Sequence, residues 1–415
     1  MLNQGNLQFG NPFANQALRF GNAGNPVVQR PPQQQPQKKV PQPPENGMKR
    51  AVQYYADYSG CGHWRMIWPE NVLNIYNKAI VQGTTCMITD PRYYEGVKSI
   101  RIQRQASPNQ LEFAKLLRQI ADKVGARLLF EIDDIMFHED IPDYNKFKTA
   151  FTSPEVRRCG QEIMAMCDEI TVTCQFMKDY YADKTGNKNV TVIPNYPPRF
   201  WMDRFYNRET LVRNYSKFCN GKRKRPRILY AGSGAHIDVE NRTGFKDDFA
   251  HVSSAIAKTC GEFQWVFIGA FPLTLKHLVQ NGTIEFHEWK PIMEFPYLIN
   301  SLNINAMVAP LADNTFNKAK SDLKYAEACC YGIPIACQDL PTYSNAPVRF
   351  KTGAEMIDQI RKMLKSRNAY MKMSDDMRSK AESRWLEKNI AKYVDLYTIP
   401  LDGPRTNLTE ECIIT

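Results

Sequence analysis

The sequence predicts an α/β protein made of two halves, each built around a parallel sheet. Short apolar runs typical of buried strands alternate with amphipathic helix patterns through residues 48–200, and the alternation begins again after residue 226. Alternation of this kind favours parallel strands covered by helices on both faces. At 415 residues the chain is long enough for two domains of ordinary size. Two such domains place a ligand site in the cleft between them.

The composition divides the chain further. The first 47 residues are rich in Asn, Gln, Gly and Pro and cannot bury a core. We predict a disordered tail there, either passive or a tether to a partner. The remaining parts are a first α/β domain at 48–200, a connector at 201–225, a second α/β domain with closing helices at 226–398, and a tail at 399–415.

Several function classes find no support in the sequence. No apolar run approaches the roughly eighteen residues of a membrane span, and the N-terminus lacks a signal-peptide pattern. The 11 cysteines form no CxxC pair, which indicates reduced thiols in a cytoplasm. The 6 histidines are dispersed, so we expect no metal site and no bound cofactor.

The net charge of +11 has two interpretations. It favours contact with a polyanion such as nucleic acid, or it only aids solubility. The excess is concentrated in one basic run at residues 217–227, "KFCNGKRKRPR", just before a predicted strand.

The stretch "FNKAKSDLKYAEACCYGIPIACQDLPTY" predicts a helix followed by a buried strand. We place the helix start at Lys320 and its end before Gly332, because glycine suits the left-handed position that closes a helix. Lys320, Lys324 and Glu327 then share one face. A helix start that carries Lys320 and Ser321 predicts a bound phosphate, and Glu327 is placed to accept hydrogen bonds from ribose hydroxyls.

Loops at two other strand ends carry candidate residues. Gly232 and Ser233 end a predicted strand, where a glycine allows close approach of a phosphate or sugar. His236, three residues on, is a candidate for binding the transferred sugar or a phosphate. Gly60 and Gly62 predict a glycine loop before a helix.

Three charged residues of the first half complete the set. Arg65 lies in the first turn of the helix after the glycine loop and is a candidate for contact with a phosphate or the acceptor. Asp133 and Asp134 follow the strand "ARLLFEI" and either line the cleft, as acceptor contacts, or cap a loop. Each candidate also has an ordinary interpretation, as a solvated surface group or a turn.

Taken in order, these motifs resemble glycosyltransferases of the two-Rossmann-domain GT-B type, in particular retaining family 4 and its phage-type members. The resemblance covers roughly residues 50–395 and rests on "GCGHWRMIWPENVL", "FEIDD", "VTVIPN", "ILYAGSGAH" and the Glu327 segment with "GIPIACQD". One departure stands out. The family commonly carries a second glutamate eight positions earlier, and here that position is Ala319.

The resemblance implies transfer of a sugar from a nucleotide diphosphate sugar, such as a UDP-sugar, with retention of configuration and without a metal. It assigns donor binding to Gly232, Ser233, Lys320, Ser321, Lys324 and Glu327. The candidate catalytic residues are Lys320, His236 and Arg65.

The acceptor is predicted from the basic charge and the phage-like motifs. We favour hydroxymethylated cytosine in phage duplex DNA, modified in the host cytoplasm. One alternative is the same chemistry on a surface polysaccharide or a protein. A second is a non-catalytic nucleic-acid-binding protein on a degenerate transferase fold.

Overall fold

The structure is a computed structural model and describes residues 50–219 and 225–398. Both predicted tails and part of the basic run at 217–227 lie outside the described residues. The described chain contains two six-stranded sheets in which all neighbouring strands are parallel. The predicted α/β class with two parallel sheets is therefore confirmed.

The first sheet is built from strands that precede residue 193. They are β1 (Arg50–Tyr54), β2 (Ile80–Thr84), β3 (Val97–Gln103), β4 (Arg127–Glu131), β5 (Glu169–Val172) and β6 (Val190–Val192). Their spatial order is β2-β1-β3-β4-β5-β6. Every residue of β1, β4 and β5 is buried, as expected for strands covered on both faces.

The second sheet follows the connector. Its strands are β7 (Arg227–Gly232), β8 (Gln264–Gly269), β9 (Glu285–His287), β10 (Ala306–Ala309), β11 (Ile335–Gln338) and β12 (Arg349–Phe350). Their order is β12-β11-β10-β7-β8-β9, so β7 lies inside the sheet although it is the first strand in sequence. The chain adds strands on one side of β7 up to β9 and then on the other side from β10, so the strand order changes direction between β7 and β10. Open α/β sheets bind their ligands at such a point.

Helices connect the strands. In the first half they are α1 (Gly60–Gly62), α2 (Trp68–Ile75), α3 (Pro108–Val124), α4 (Lys148–Thr152), α5 (Pro154–Met166) and α6 (Gln175–Thr185). The connector holds α7 (Arg199–Met202) and α8 (Arg208–Cys219). The second half holds α9 (Ser253–Lys258), α10 (Lys276–Gln280), α11 (Phe295–Ser301), α12 (Thr315–Lys318), α13 (Leu323–Tyr331), α14 (Gly353–Leu364), α15 (Arg367–Ser383) and α16 (Ala391–Thr398).

Local signals explain the clearest helix, α3. The Ser107 side chain and Gln110 form a reciprocal capping box, and Pro108 occupies the first turn. The helix closes at Gly125, which has a φ of 69°. Gly332 closes α13 in the same way, with a φ of 65°, as the sequence predicts.

Gly60 and Gly62 do not form the loop that the sequence predicts. The chain is helical from Gly60 onward, and a π-helical turn at His63–Ile67 joins α1 to α2. The Asp57 carboxylate draws this turn together, because its Oδ1 accepts hydrogen bonds from the backbone N–H groups of Ser59 at 2.7 Å and Gly62 at 3.2 Å.

The last described helix returns to the first sheet. The sequence analysis assigned α16 to the second domain, yet the helix packs against β1 and β3. The Tyr397 hydroxyl donates to Gln53 at 2.5 Å and accepts from Arg101 at 2.8 Å. The Ser99 hydroxyl donates to the Tyr397 carbonyl at 2.9 Å. This helix therefore ties the end of the described chain to the first half.

Candidate active site

Two side-chain contacts join the halves at the carboxyl ends of the strands. Lys320 Nζ lies 3.3 Å from a carboxylate oxygen of Asp134, which follows β4. Asn195 Nδ2, in the segment after β6, donates to the Ser321 hydroxyl over 3.0 Å. Lys320 and Ser321 thus lie at the edge where open α/β sheets bind their ligands.

The predicted start of the helix at Lys320 is wrong, because α13 begins at Leu323. Asp322 occupies the N-cap position, but its side chain makes no cap hydrogen bond. The Arg384 guanidinium binds that carboxylate at 2.6 and 3.0 Å instead. Lys320 and Ser321 therefore lie in a turn ahead of the helix, from which their side chains reach towards the first half.

Lys324 and Glu327 do share a face of α13, three positions apart. Lys324 Nζ donates to the Ala231 carbonyl at 2.9 Å, which directs it to the end of β7, and lies 5.3 Å from the centre of the Tyr230 ring. Burial lowers the pKa of Lys324, although the negative charge of Glu327 opposes this. Burial raises the pKa of Glu327, and the Lys324 charge opposes that shift. The two side chains are both half-buried and of opposite charge, and each affects the pKa of the other.

His236 is bound to a buried carboxylate that the sequence analysis did not single out. Its Nδ1 lies 2.7 Å from Asp248 Oδ2. Asp248 Oδ1 accepts from the Tyr144 hydroxyl at 2.7 Å, Asn317 Nδ2 at 2.6 Å and the Ala312 backbone N–H at 2.9 Å. Tyr144 belongs to the first half, so this cluster also joins the two halves.

The electrostatic environment keeps His236 neutral. Burial lowers its pKa to about 4, and the positive charges of Lys320 and Lys324 add to the shift, against the opposing effect of Asp248. Both lysines that are predicted donor ligands thus lower the pKa of His236.

Asp133 and Asp134 have different partners. Asp133 pairs with Arg104, whose Nε lies 2.6 Å from a carboxylate oxygen, and Arg104 Nη1 also donates to the Cys61 sulfur at 3.2 Å. Burial raises the pKa of Asp134, and the charges of Lys320 and Arg104 oppose the shift. Of the two carboxylates, Asp134 is therefore the one that faces a predicted donor ligand.

The two glycines of the first half differ in their surroundings. A side chain at Gly62 would place its Cβ 1.9 Å from the Asp57 carbonyl oxygen, so the position requires glycine for packing. A Cβ at Gly60 would meet no atom within 4 Å. Open space beside Gly60 is compatible with a ligand there, while Gly62 is accounted for by the fold.

Gly232 ends β7 against an aromatic side chain. A Cβ there would lie 2.3 Å from the Tyr230 hydroxyl. Ser233 is exposed, and its hydroxyl accepts from the Ala235 backbone N–H at 3.3 Å in a short 3₁₀ turn at Gly234–His236. His236 is the last residue of this turn.

Arg65 does not face the cleft. Its side chain has no exposed surface, and Nε pairs with Glu131 at 2.5 Å. Nη1 donates to the Ile193 carbonyl at 2.6 Å and to Asn195 Oδ1 at 2.9 Å. The expected contact with a phosphate or acceptor is not supported by this placement. Arg65 reaches the candidate site only through Asn195, which contacts Ser321.

Sequence reasoning missed several residues that build the site. They come from segments distant in the chain: Arg104, Tyr144, Asn195, Asp248 and Asn317. Asp248 lies in the segment before α9, which begins at Ser253. Local signals existed for three of them, since Asn195 ends "VTVIPN", Asn317 belongs to the stretch that begins at Phe316, and Arg104 lies in the polar "QRQ" at the end of β3.

Two kinds of feature are absent from residues 50–219 and 225–398. These residues contain no group of three or more His, Cys, Asp or Glu side chains that could hold a metal ion. No helix in the same part of the chain is long and apolar enough to cross a membrane.

Solved structures of other proteins share this architecture. Anabaena Alr3699/HepE, crystallised in complex with UDP, superposes with a TM-score of 0.55 at 9% identity, over 84% of this chain and 99% of that one. The chain has the GT-B fold. The same Anabaena protein with UDP-glucose gives 0.55 at 8% identity, over 84% and 98% of the two chains. A glycosyltransferase from Rickettsia africae gives 0.54 at 12% identity, over 85% and 98%.

Sequence comparison adds no relative to these structures. No protein-family model matches the chain, and no curated protein sequence matches it either. At these low identities the structural likeness establishes the GT-B fold, and the chemistry has to be argued from the residues of the site.

Proposed function

We propose that this protein is a glycosyltransferase that moves a sugar from a nucleotide diphosphate sugar to an acceptor hydroxyl. The observation that carries the proposal is that Lys320, Ser321 and Lys324 lie at the carboxyl ends of the strands of a GT-B fold, with Glu327 on the same face of α13 as Lys324 and His236 in the turn that follows β7. The lysines supply positive charge for a diphosphate, and the carboxylate suits two vicinal hydroxyls of a ribose. A UDP-sugar is the donor we favour, since the Anabaena structures of the same fold contain UDP and UDP-glucose.

The proposed chemistry relies on positioning and charge. Departure of the nucleotide diphosphate develops negative charge on its phosphate oxygens, and Lys320 and Lys324 stabilise that charge. We propose retention of configuration without a metal. In this scheme the acceptor hydroxyl attacks the anomeric carbon of the sugar on the same face from which the nucleotide diphosphate departs. The departing phosphate takes the proton of that hydroxyl. The enzyme then contributes orientation and electrostatic stabilisation.

Lys320 allows the first check of this mechanism. We expect Lys320→Ala to reduce the transfer rate by about a hundredfold or more, because its charge acts most strongly on the developing phosphate anion. Nucleotide affinity should change far less. An unchanged transfer rate would remove Lys320 from the catalytic machinery.

For the acceptor we propose hydroxymethylated cytosine in phage duplex DNA, modified in the host cytoplasm. The net charge of +11 supports a polyanionic acceptor. The target base would leave the stack to reach the cleft. Activity on DNA should then fall steeply between low and moderate salt, because binding to phosphates releases counterions.

Nucleoside mass spectrometry tests donor and acceptor together. The purified protein is incubated with a panel of UDP- and GDP-sugars and with duplex DNA that contains either cytosine or 5-hydroxymethylcytosine. A pentose or hexose mass added only to the modified base establishes DNA glycosylation and names the sugar class. Hydrolysis of a sugar nucleotide without added mass keeps the transferase and directs the search to polysaccharide or protein acceptors. No turnover and no binding of any donor would favour a non-catalytic nucleic-acid-binding protein.

A further inference from the structure

The carboxylate of Asp248 is saturated by donors on one oxygen. Its side chain is fully buried, and Oδ1 accepts three hydrogen bonds, from Tyr144, Asn317 and Ala312. Oδ2 is left to His236 Nδ1 at 2.7 Å. Burial opposes ionisation, but the hydrogen bonds from His236, Ala312 and Tyr144 outweigh it and lower the pKa of Asp248. Asp248 is therefore an ionised carboxylate, whose two oxygens can accept hydrogen bonds but cannot donate them.

This carboxylate fixes the tautomer of His236. An ionised Asp248 has no hydrogen to donate, so Nδ1 must carry the imidazole hydrogen. With its pKa lowered to about 4, His236 carries no second proton near neutral pH, and Nε2 keeps its lone pair. Among residues 50–219 and 225–398, no hydrogen-bond partner meets Nε2, and the imidazole is the exposed member of the pair, at 11% against 0% for Asp248.

We propose that His236 Nε2 accepts a hydrogen bond from a hydroxyl of the transferred sugar, and that Asp248 is the positioning residue that keeps it an acceptor. The inference rests on the proposed function and resolves the choice between sugar and phosphate that the sequence left open. An ionised diphosphate offers no hydrogen to a lone pair, whereas a sugar hydroxyl does. In this assignment the diphosphate is bound by Lys320 and by Lys324, which lies at the end of β7, the strand that precedes the His236 turn.

Because of the hydrogen bonds on Oδ1, Asp248→Asn changes the tautomer of His236 in a defined way. Three donors point at Oδ1, so the amide must keep its oxygen there and place its NH₂ at the Oδ2 position. That NH₂ can only donate to His236 Nδ1, which must then become the acceptor. The substitution therefore keeps the hydrogen bond but reverses the tautomer, so that Nε2 carries the hydrogen.

His236→Asn is the complementary variant. Its shorter side chain can still donate to Asp248 from near the Nδ1 position but has nothing in the place of Nε2. Asp247→Asn is the control, because Asp247 is an adjacent buried carboxylate whose oxygens accept from the backbone N–H groups of Asp238 and Phe249 and make no contact with His236.

The test is calorimetric titration of the wild type and the three variants with UDP and with the UDP-sugar that the wild type binds. We expect Asp248→Asn and His236→Asn to weaken UDP-sugar binding by about fivefold to tenfold and UDP binding by less than about twofold. Asp247→Asn should leave the ratio of the two affinities unchanged. Equal weakening of UDP and UDP-sugar, or no weakening of either, would overturn the inference.

A measurement on the unaltered protein guards against variants that fail to fold. ¹⁵N NMR of histidine-labelled wild type reports which imidazole nitrogen of His236 carries the hydrogen, and we expect Nδ1. A hydrogen on Nε2 would overturn the inference whatever the variants do. If the wild type binds no sugar nucleotide of the UDP and GDP panel, the proposed function itself fails, an outcome distinct from an unchanged affinity ratio.

Discussion

Lys320 and Asp134 form an ion pair across the cleft, with the ammonium 3.3 Å from a carboxylate oxygen and both side chains largely sheltered from solvent. Lys320 comes from the turn before α13, and Asp134 follows β4 of the other half. The lysine proposed to bind a diphosphate is thus paired with a carboxylate. A diphosphate has to compete with Asp134 for this charge.

We therefore expect Asp134→Asn to tighten UDP binding. Removal of the competing carboxylate frees Lys320, and partly exposed ion pairs of this kind are worth up to about 1 kcal/mol, so the gain should not exceed about fivefold. Calorimetric titration with UDP measures it. Asp133→Asn is the matched control, because Asp133 pairs with Arg104 and should leave UDP affinity unchanged. Weaker UDP binding by Asp134→Asn would show that Asp134 supports the donor site instead of competing for it.

Glu327 should discriminate nucleotides by their ribose. Hydrogen bonds to a charged group contribute about 1.5–3 kcal/mol, so Glu327→Gln should weaken UDP binding by about tenfold to a hundredfold. The informative comparison is with 2′,3′-dideoxy-UDP. Wild type should bind it much more weakly than UDP, whereas Glu327→Gln should bind the two nucleotides alike. A preference for UDP that survives in the variant would assign the ribose to another residue.

The fold was readable from the sequence because its signals are local. A capping box at Ser107, a proline in the first turn and a left-handed Gly125 mark α3 within the helix and its immediate neighbours. Continuous apolar runs such as β4 identify strands buried on both faces. Such signals need no knowledge of the rest of the chain.

The details of the site were less predictable because distant residues decide them. Asp322, the N-cap residue of α13, forms an ion pair with Arg384, which is 62 residues away in the chain. The helix begins after Asp322, so Lys320 lies outside it. Tyr144 and Asp248 are 104 residues apart, and no spacing rule brings them together. The sequence predicted the stretch that holds Lys320, Lys324 and Glu327, while the groups that orient these residues required the tertiary structure.

Arg65, which the sequence suggested as a contact for a phosphate or the acceptor, is instead buried against Glu131, and this contact supports a prediction on stability. Arg65→Lys keeps the charge but loses the planar fork that binds Glu131, the Ile193 carbonyl and Asn195 together. We expect a loss of about 2–4 kcal/mol in the free energy of unfolding, because a buried carboxylate loses much of its pairing. Urea denaturation measures this loss.

A nucleotide titration separates this structural role from the phosphate contact that the sequence suggested. For the folded Arg65→Lys variant we expect UDP affinity within about threefold of wild type, since Arg65 touches the site only through Asn195. A tenfold or greater loss of UDP affinity with little loss of stability would restore the original assignment.

Acid should destabilise the protein through His236. In the unfolded chain a histidine takes up a proton below about pH 6.5, whereas in the folded protein the pKa of His236 is lowered to about 4 by burial and by the Lys320 charge. The unfolded state therefore binds the extra proton between these values, and the stability that His236 contributes above pH 6.5 is lost as the pH falls towards 4. From about pH 7 to about pH 5 the loss should be about 2 kcal/mol.

Urea unfolding of wild type and His236→Asn at both pH values isolates the contribution of His236. Asp247, whose pKa burial raises to about 6, titrates in both proteins and therefore cancels from the comparison. Between pH 7 and pH 5, the difference in free energy of unfolding between wild type and His236→Asn should shift by about 2 kcal/mol in favour of the variant. A difference that stays constant would mean that His236 has the same pKa in the folded and unfolded chains.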